Sequence, residues 1–180
     1  VPKSKSCKWF PALLTLISLA ILLTACRVNS GPAGEYSLAF DSDNFTEKTL
    51  NLGDQAITYR AYEGIVYVSS PVDIQYQTMN FYVPTEYYEG KSIGSYTAET
   101  APVFFPNTVG GYMPGAPGTA DLNPGDRPNG IALALSKGYV VAAPGARGRT
   151  LKNEQGLYTG KAPACIVDLK AAVRYLRHND

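Results

Sequence analysis

Histidine and tryptophan each occur once in this sequence of 180 residues, methionine twice and cysteine three times. His178 is the one histidine that could serve as a general base. Its place at the end of an amphipathic helical segment, on the polar side, reads instead as a solvated helix end. Charge of one sign is also scarce. Sixteen Lys and Arg stand against fifteen Asp and Glu, with no Lys/Arg stripe, which argues against a nucleic-acid partner. No Gly-Lys-Ser/Thr follows a G-x-x-x-x spacing, so the glycines form no phosphate loop. There is no internal repeat. No metal site and no cofactor is indicated. The apolar run from Trp9 to Leu23 is shorter than the roughly 20 residues that cross a bilayer.

That run is nonetheless organised. Lys3, Lys5 and Lys8 precede it and Leu23-Thr24-Ala25-Cys26 closes it, the order of a secretory leader ending in a bacterial lipobox. In such a motif the Cys26 thiol takes a diacylglycerol before cleavage. The reading is therefore a lipoprotein signal peptide over 1–25, lipidation at Cys26, and an exported chain anchored to a bacterial membrane at the cell surface. The other possibility is a plain secretory signal in which Cys26 is incidental. A polar tether over 26–50 would follow. Cys7 leaves with the leader and Cys26 carries lipid, so Cys165 stands alone. No internal disulfide is expected despite export, and Cys165 reads as a buried packing residue.

Residues 51–180 read as a domain of α/β class. Ile57, Tyr59 and Ala61 alternate, then Val66 and Val68, then Val72, Ile74 and Tyr76, then Met79, Phe81 and Val83. This period-2 spacing, broken at Gly64 and Pro71, predicts antiparallel strands leading the sheet. Thr85 to Ala101 is a long polar connection without helical period. Pro102–Phe105 and Tyr139–Ala143 read as buried parallel strands. The Gly/Pro-rich segment Pro106–Gly130 is long enough to be a binding loop, and Ile131, Leu133 and Leu135 lie in a short helix that Gly138 ends. Ile166, Leu169, Val173 and Leu176 form one apolar stripe at helical spacing, with Pro163 near the first turn and Arg174, Arg177 and His178 at the cation-favouring end. Strands alternating with helices after a β-rich lead imply right-handed crossovers on a parallel sheet.

Gly90-Lys91-Ser92-Ile93-Gly94 satisfies G-x-S-x-G, but a nucleophile elbow needs a strand before it and a helix after it. Neither is legible here, and no catalytic triad is expected within the chain. One active-site part does fit. Val109-Gly110-Gly111-Tyr112 follows the Pro102–Phe105 strand, and paired glycines allow backbone N–H groups to face a cleft as an oxyanion hole. The other reading of Gly110 and Gly111 is a glycine turn that opens a loop. Pro144-Gly145-Ala146-Arg147-Gly148-Arg149 lies past the carboxyl end of the second strand, where ligands bind in open α/β sheets. Arg147 or Arg149 could meet a carboxylate or phenolic substrate edge, or could fasten the loop to a neighbour.

Three stretches carry a resemblance. Ala101-Pro102-Val103-Phe104-Phe105-Pro106-Asn107-Thr108-Val109-Gly110-Gly111-Tyr112-Met113-Pro114 resembles the oxyanion strand and loop of bacterial tannases (tannin acylhydrolases, subtype B). So do Gly138 to Arg149 and Tyr158-Thr159-Gly160-Lys161-Ala162-Pro163 through Leu176, and the similarity runs from about Ile74 to Asp180. The resemblance implies an α/β-hydrolase fold of which this is the N-terminal half, incomplete, with Asp180 reached before the nucleophile strand. It implies a Ser-Asp-His serine carboxylesterase acting on galloyl and related small phenolic esters, inactive in these residues alone. Only Gly110 and Gly111 fall on functional positions of that family. A feruloyl or acetyl esterase of the same fold, or a non-catalytic surface lipoprotein on a hydrolase-like scaffold, are the alternatives.

Overall fold

The computed structural model describes residues 35–180; the leader, Cys26 and the first part of the tether lie outside them. Strand β1 (Thr46–Leu52) pairs antiparallel with β2 (Gln55–Val66), and β2 with β3 (Thr78–Pro84). A one-turn helix α1 (Thr85–Tyr88), a two-residue strand β4 (Val103–Phe104), and a small hairpin β5 (Leu122–Asn123) and β6 (Arg127–Pro128) follow. Helix α2 (Gly130–Ser136), strand β7 (Val140–Pro144) and helix α3 (Ala164–His178) complete the order. The main sheet runs β1-β2-β3-β7-β4. It is a mixed α/β arrangement: mostly antiparallel, with one parallel pair, β4 and β7, in the register Val103↔Val140 and Phe104↔Val141.

Alternation along β7 places a helix on each face of the sheet. Val141 and Ala143 share a core with Ile57, Tyr59, Tyr82 and the α2 residues Ile131, Ala134 and Leu135. Ala142 faces the other way, into a core with Tyr67, Met79 and the α3 residues Ala172 and Tyr175. Because successive strand residues point to opposite faces, a run of small and β-branched residues fits a strand covered on both sides. Helix α2 starts where the Asn129 side chain accepts the Ala132 amide at 2.9 Å, an ordinary N-cap. It stops at Gly138, whose φ of 82° only glycine adopts freely. The Tyr87 hydroxyl of α1 donates to the Gly138 carbonyl.

Several expectations are corrected. Residues 46–50, assigned to the tether, form most of the edge strand β1. The preceding segment is also held: the Asn179 side chain accepts the Phe40 amide at 2.9 Å and donates to the Leu38 carbonyl at 3.0 Å. Leu50 and Leu52 pack on the core, which offsets their strand's polar outer face. The break at Gly64 is a bulge within one long strand, with the register shifting between Tyr62 and Ile65. Val72 and Ile74 are exposed in a turn rather than paired in a strand. The Gln77 side-chain oxygen accepts the Val72 and Asp73 amides at 2.6 and 3.0 Å, and the Asp73 carbonyl accepts the Gln77 amide, which closes that turn.

The other two corrections concern burial. Val103 and Phe104 are exposed on the open edge of the sheet, not buried, since β4 has β7 on one side and no strand on the other among the described residues. On α3 the buried residues are Cys165, Asp168, Ala172 and Tyr175, while Ile166 and Val173 are exposed. The spacing of 3, 4 and 3 is as expected, but the inward stripe is displaced by one residue, about 100° around the helix.

Candidate active site

The parallel pair β4 and β7 sends two loops off the same end of the sheet. In the first, the Gly110 carbonyl accepts the Met113 amide at 3.0 Å. The central residues Gly111 and Tyr112 have φ of 58° and 60°, so this is a tight turn with both central residues left-handed, the backbone pattern of type I′. Glycine at 111 follows from that φ, whereas Gly110 lies outside the left-handed region. A Cβ at either position would meet nothing within 4 Å, and both residues are exposed. Their own N–H groups donate no hydrogen bond among the described residues. Tyr112 pays for its left-handed backbone and presents a half-exposed ring.

The second loop, residues 145–149, is tied at every residue. The Gly145 amide donates to the Thr78 carbonyl at 2.8 Å, and its carbonyl accepts the buried Tyr67 hydroxyl at 2.8 Å. Ala146 exchanges two backbone hydrogen bonds with Gly115, at 2.9 and 3.0 Å. The Arg147 amide donates to Asp168 Oδ2 at 2.9 Å, and its guanidinium grips both oxygens of the same carboxylate, Nε to Oδ2 at 2.9 Å and Nη2 to Oδ1 at 2.8 Å. Nη1 reaches the Thr159 carbonyl at 3.0 Å, and the Gln77 side chain donates to Asp168 Oδ1 at 2.9 Å. The Arg149 amide donates to the Tyr112 carbonyl at 2.7 Å, linking the second loop to the first.

Glycine makes the packing of these loops possible. A side chain at Gly148 would collide with the backbone of Met113 and Pro114, and one at Gly160 with the carbonyl of Gly148. Three backbone layers, 113–114, 148 and 160, thus lie directly on one another. The ion pair beneath them is nearly dry: Arg147 and Asp168 side chains are 11% and 1% exposed. A bidentate arginine–carboxylate pair with its remaining lone pairs satisfied is the arrangement that offsets desolvation. Hydrogen bonding to Asp168 raises the Arg147 pKa further above its already high ordinary value. Burial, reinforced by the Asp168 charge, pushes both the Tyr67 phenol and the Cys165 thiol upward.

The two arginines weighed from sequence therefore part company. Arg147 fastens its loop to α3, and Arg149 is exposed, its side chain free of hydrogen bonds among the described residues. Ser92 lies exposed in the turns after α1, with no strand leading to it, and His178 is exposed at the end of α3. Among the described residues no group of His, Cys, Asp and Glu could hold a metal ion. No described helix is long and apolar enough to cross a membrane.

No protein-family model and no curated protein matches the chain. Solved structures do. The tannase of Fusobacterium nucleatum is 56% identical, with a TM-score of 0.79, over 81% of this chain and 30% of that one. The tannase of Lactobacillus plantarum is 42% identical, with a TM-score of 0.73, over 79% of this chain and 31% of that one. A tannin acyl hydrolase solved in complex with ethyl gallate is 43% identical, with a TM-score of 0.71, over 79% and 31%. The structural neighbours of this chain are bacterial tannases. The chain spans about 30% of the tannase length, and that portion contains the sheet, its two covering helices and the two loops described above. Sequence reasoning missed the residues that fix those loops: Asp168, Gln77, Tyr67, Gly148 and Gly160. A signal for the first did exist, an acidic residue on the inward side of an otherwise apolar helix.

Proposed function

We propose that this chain is the N-terminal portion of a tannase-type serine ester hydrolase of α/β-hydrolase fold, cleaving galloyl and related phenolic esters. The observation that carries the reading is 56% identity to a tannase across 81% of the chain. The turn geometry supports a role for the first loop. The Gly110 and Gly111 amides are unpaired, unobstructed, and held at the carboxyl end of the parallel pair. Donors fixed in this way can stabilise the negative charge that develops on an ester oxygen without reorganising.

In the reaction a serine attacks the ester carbonyl as histidine takes its proton, and the Gly110–Gly111 turn contributes to binding the oxyanion. The alcohol leaves with the proton returned by histidine, and water then hydrolyses the acyl-enzyme. We place serine, aspartate and histidine beyond residue 180, so residues 1–180 alone are inactive. Export and anchoring through Cys26 belong to the same proposal, supported by the order of the basic, apolar and Leu-Thr-Ala-Cys segments. Cys26→Ala should abolish incorporation of labelled fatty acid and leave the leader uncleaved, whereas a variant processed as the wild type would overturn the lipid anchor.

The deciding experiment is hydrolysis of methyl gallate by the full-length protein, with fluorophosphonate labelling to locate the serine. Hydrolysis with a labelled serine beyond Asp180 is expected. Faster cleavage of ferulate or acetate esters than of gallate would replace the substrate assignment. Absence of both labelling and hydrolysis would leave a binding protein on a hydrolase-like scaffold.

A further inference from the structure

The Gly110–Gly111 turn has no hold of its own on the sheet. Among the described residues, every hydrogen bond that joins residues 110–115 to another part of the chain ends on the loop 146–149. Gly115 exchanges two with Ala146, at 2.9 and 3.0 Å, and the Tyr112 carbonyl accepts the Arg149 amide at 2.7 Å. The bond from the Met113 amide to the Gly110 carbonyl only closes the turn on itself. Between the two attachments Gly148 lies so close to the Met113–Pro114 backbone that a Cβ there would overlap the Pro114 nitrogen. Where the loop stands therefore sets where the amides of the turn stand.

The loop is held in its turn by one carboxylate. Arg147 lies between the attachments at Ala146 and Arg149, and it is the one residue of 146–149 whose side chain is hydrogen-bonded among the described residues. Asp168 accepts its amide, Nε and Nη2, and a fourth hydrogen bond from Gln77. Four donors on two oxygens fix both the place and the plane of the carboxylate, and the guanidinium fork fits it in one orientation. Stability alone does not account for the pair. Helix α3 also buries Cys165, Ala172 and Tyr175, and well-packed apolar side chains in place of a buried ion pair are often as stable or more so. What apolar packing does not supply is direction.

Resting on the oxyanion reading of the turn, we propose that Asp168 and Arg147 are positioning residues for ester cleavage. Neither touches substrate. Asp168 fixes Arg147, Arg147 fixes the loop, and the loop holds the Gly110 and Gly111 amides where negative charge develops. Donors of this kind act by being in place beforehand, and a misplacement of about 1 Å can cost about a hundredfold in rate. The pair acts on kcat and hardly on KM, because the charge those amides meet is present only in the transition state.

The test uses two variants of the full-length protein. In R147M/D168L an apolar pair replaces the ionic one and leaves no buried charge unpaired, and Arg147→Lys keeps the charge but loses the fork. The substrate is methyl gallate, or the ferulate or acetate ester if the wild type cleaves that faster. Turnover is expressed per serine titrated with fluorophosphonate, so that unfolded molecules do not count. In each variant kcat per titrated site should fall about tenfold or more while KM stays within about twofold. A smaller loss, or a loss carried by KM, overturns the proposal, since a purely structural pair lowers the number of titrated sites and not the rate of each. If R147M/D168L does not fold, Arg147→Lys decides by the same measure. A wild type that cleaves none of the three esters fails the esterase reading by itself. The pair is then judged by hydrogen exchange at the Met113, Gly115 and Arg149 amides. Exchange about tenfold faster in the variants, at matching melting temperatures, upholds the hold on the turn, and a smaller change overturns it.

Discussion

The antiparallel and parallel ends of this sheet are held together by different means. Around β2 and β3 the contacts are aromatic. Tyr59 meets Tyr82 edge-on at 5.5 Å between ring centroids, Tyr62 meets Phe40 at 4.9 Å, and Arg60 lies between the Phe45 and Tyr88 rings at 4.2 and 3.8 Å. At the other end, the loops leaving β4 and β7 carry few large apolar side chains inward. There the backbone is held by one buried ion pair, by hydrogen bonds from every residue of 145–149, and by glycines stacked on glycines. Aromatic packing tolerates small adjustments because it is the sum of many weak contacts. A bidentate ion pair and a backbone stack tolerate almost none. The end of the sheet that resembles a reaction site is the end where position is specified most tightly, which suits an oxyanion site whose value depends on donors fixed in advance.

Alkali should break the aromatic end first and most completely. Burial raises the phenols of Tyr59 and Tyr82 above their ordinary value of 10.0, and the Glu63 charge adds to the effect at both. A phenol is a neutral acid, so the folded protein keeps protons that the unfolded chain would release. The stability this represents is intact below pH 10 and is lost progressively as pH rises past it. Melting followed with tyrosine absorbance should show a cooperative alkaline transition in which ring ionisation and loss of tertiary signal coincide. Gradual ionisation without unfolding would mean that these rings are open to solvent.

The next largest effect belongs to the other end. Asp168→Ala leaves the Arg147 guanidinium buried without its partner and removes an acceptor from Gln77, a change worth roughly 3–5 kcal/mol. Chemical denaturation would measure it, and a loss under about 1 kcal/mol would show that the pair is hydrated and marginal. Gly148→Ala comes next, because its Cβ would strike the Met113–Pro114 backbone rather than a side chain that can turn away. A cost of about 1–3 kcal/mol is expected, together with loss of esterase activity greater than the stability change explains, since the loop it displaces contacts the Gly110–Gly111 turn.

How much of this was legible in the sequence follows the same division. Strands β2, β3 and β7 and helices α2 and α3 were readable because alternation, apolar runs and helical spacing are local signals. The turn at Val72 and Ile74 was not, since its hydrogen bonds come from the Gln77 side chain, which the apolar pattern does not register. The displaced stripe of α3 has a physical cause in Asp168. Residue types alone put an aspartate on the solvent side, and only its pairing with Arg147, 21 positions away, turns that face inward. The exposure of β4 depends on what lies beside it in the sheet, which no spacing within Val103–Phe104 records. Gly110 and Gly111 were found as a pair, but their different backbone requirements were invisible.

That difference supplies the smallest and sharpest test. Gly111 sits at φ 58°, so Gly111→Ala strains the turn by about 1–2 kcal/mol. Gly110→Ala faces neither a left-handed backbone nor any atom within 4 Å, and should leave the melting temperature almost unchanged. If the turn only shapes the loop, Gly110→Ala should also leave hydrolysis of methyl gallate by the full-length protein unaltered. If its amides face the reacting oxygen, the added methyl group crowds the cleft and kcat falls while stability does not. Measuring kcat and melting temperature for both variants separates a turn kept for its conformation from one that must leave room beside the reacting ester, and replacing the Gly110 N–H itself by a backbone ester oxygen without loss of kcat would sink the oxyanion role.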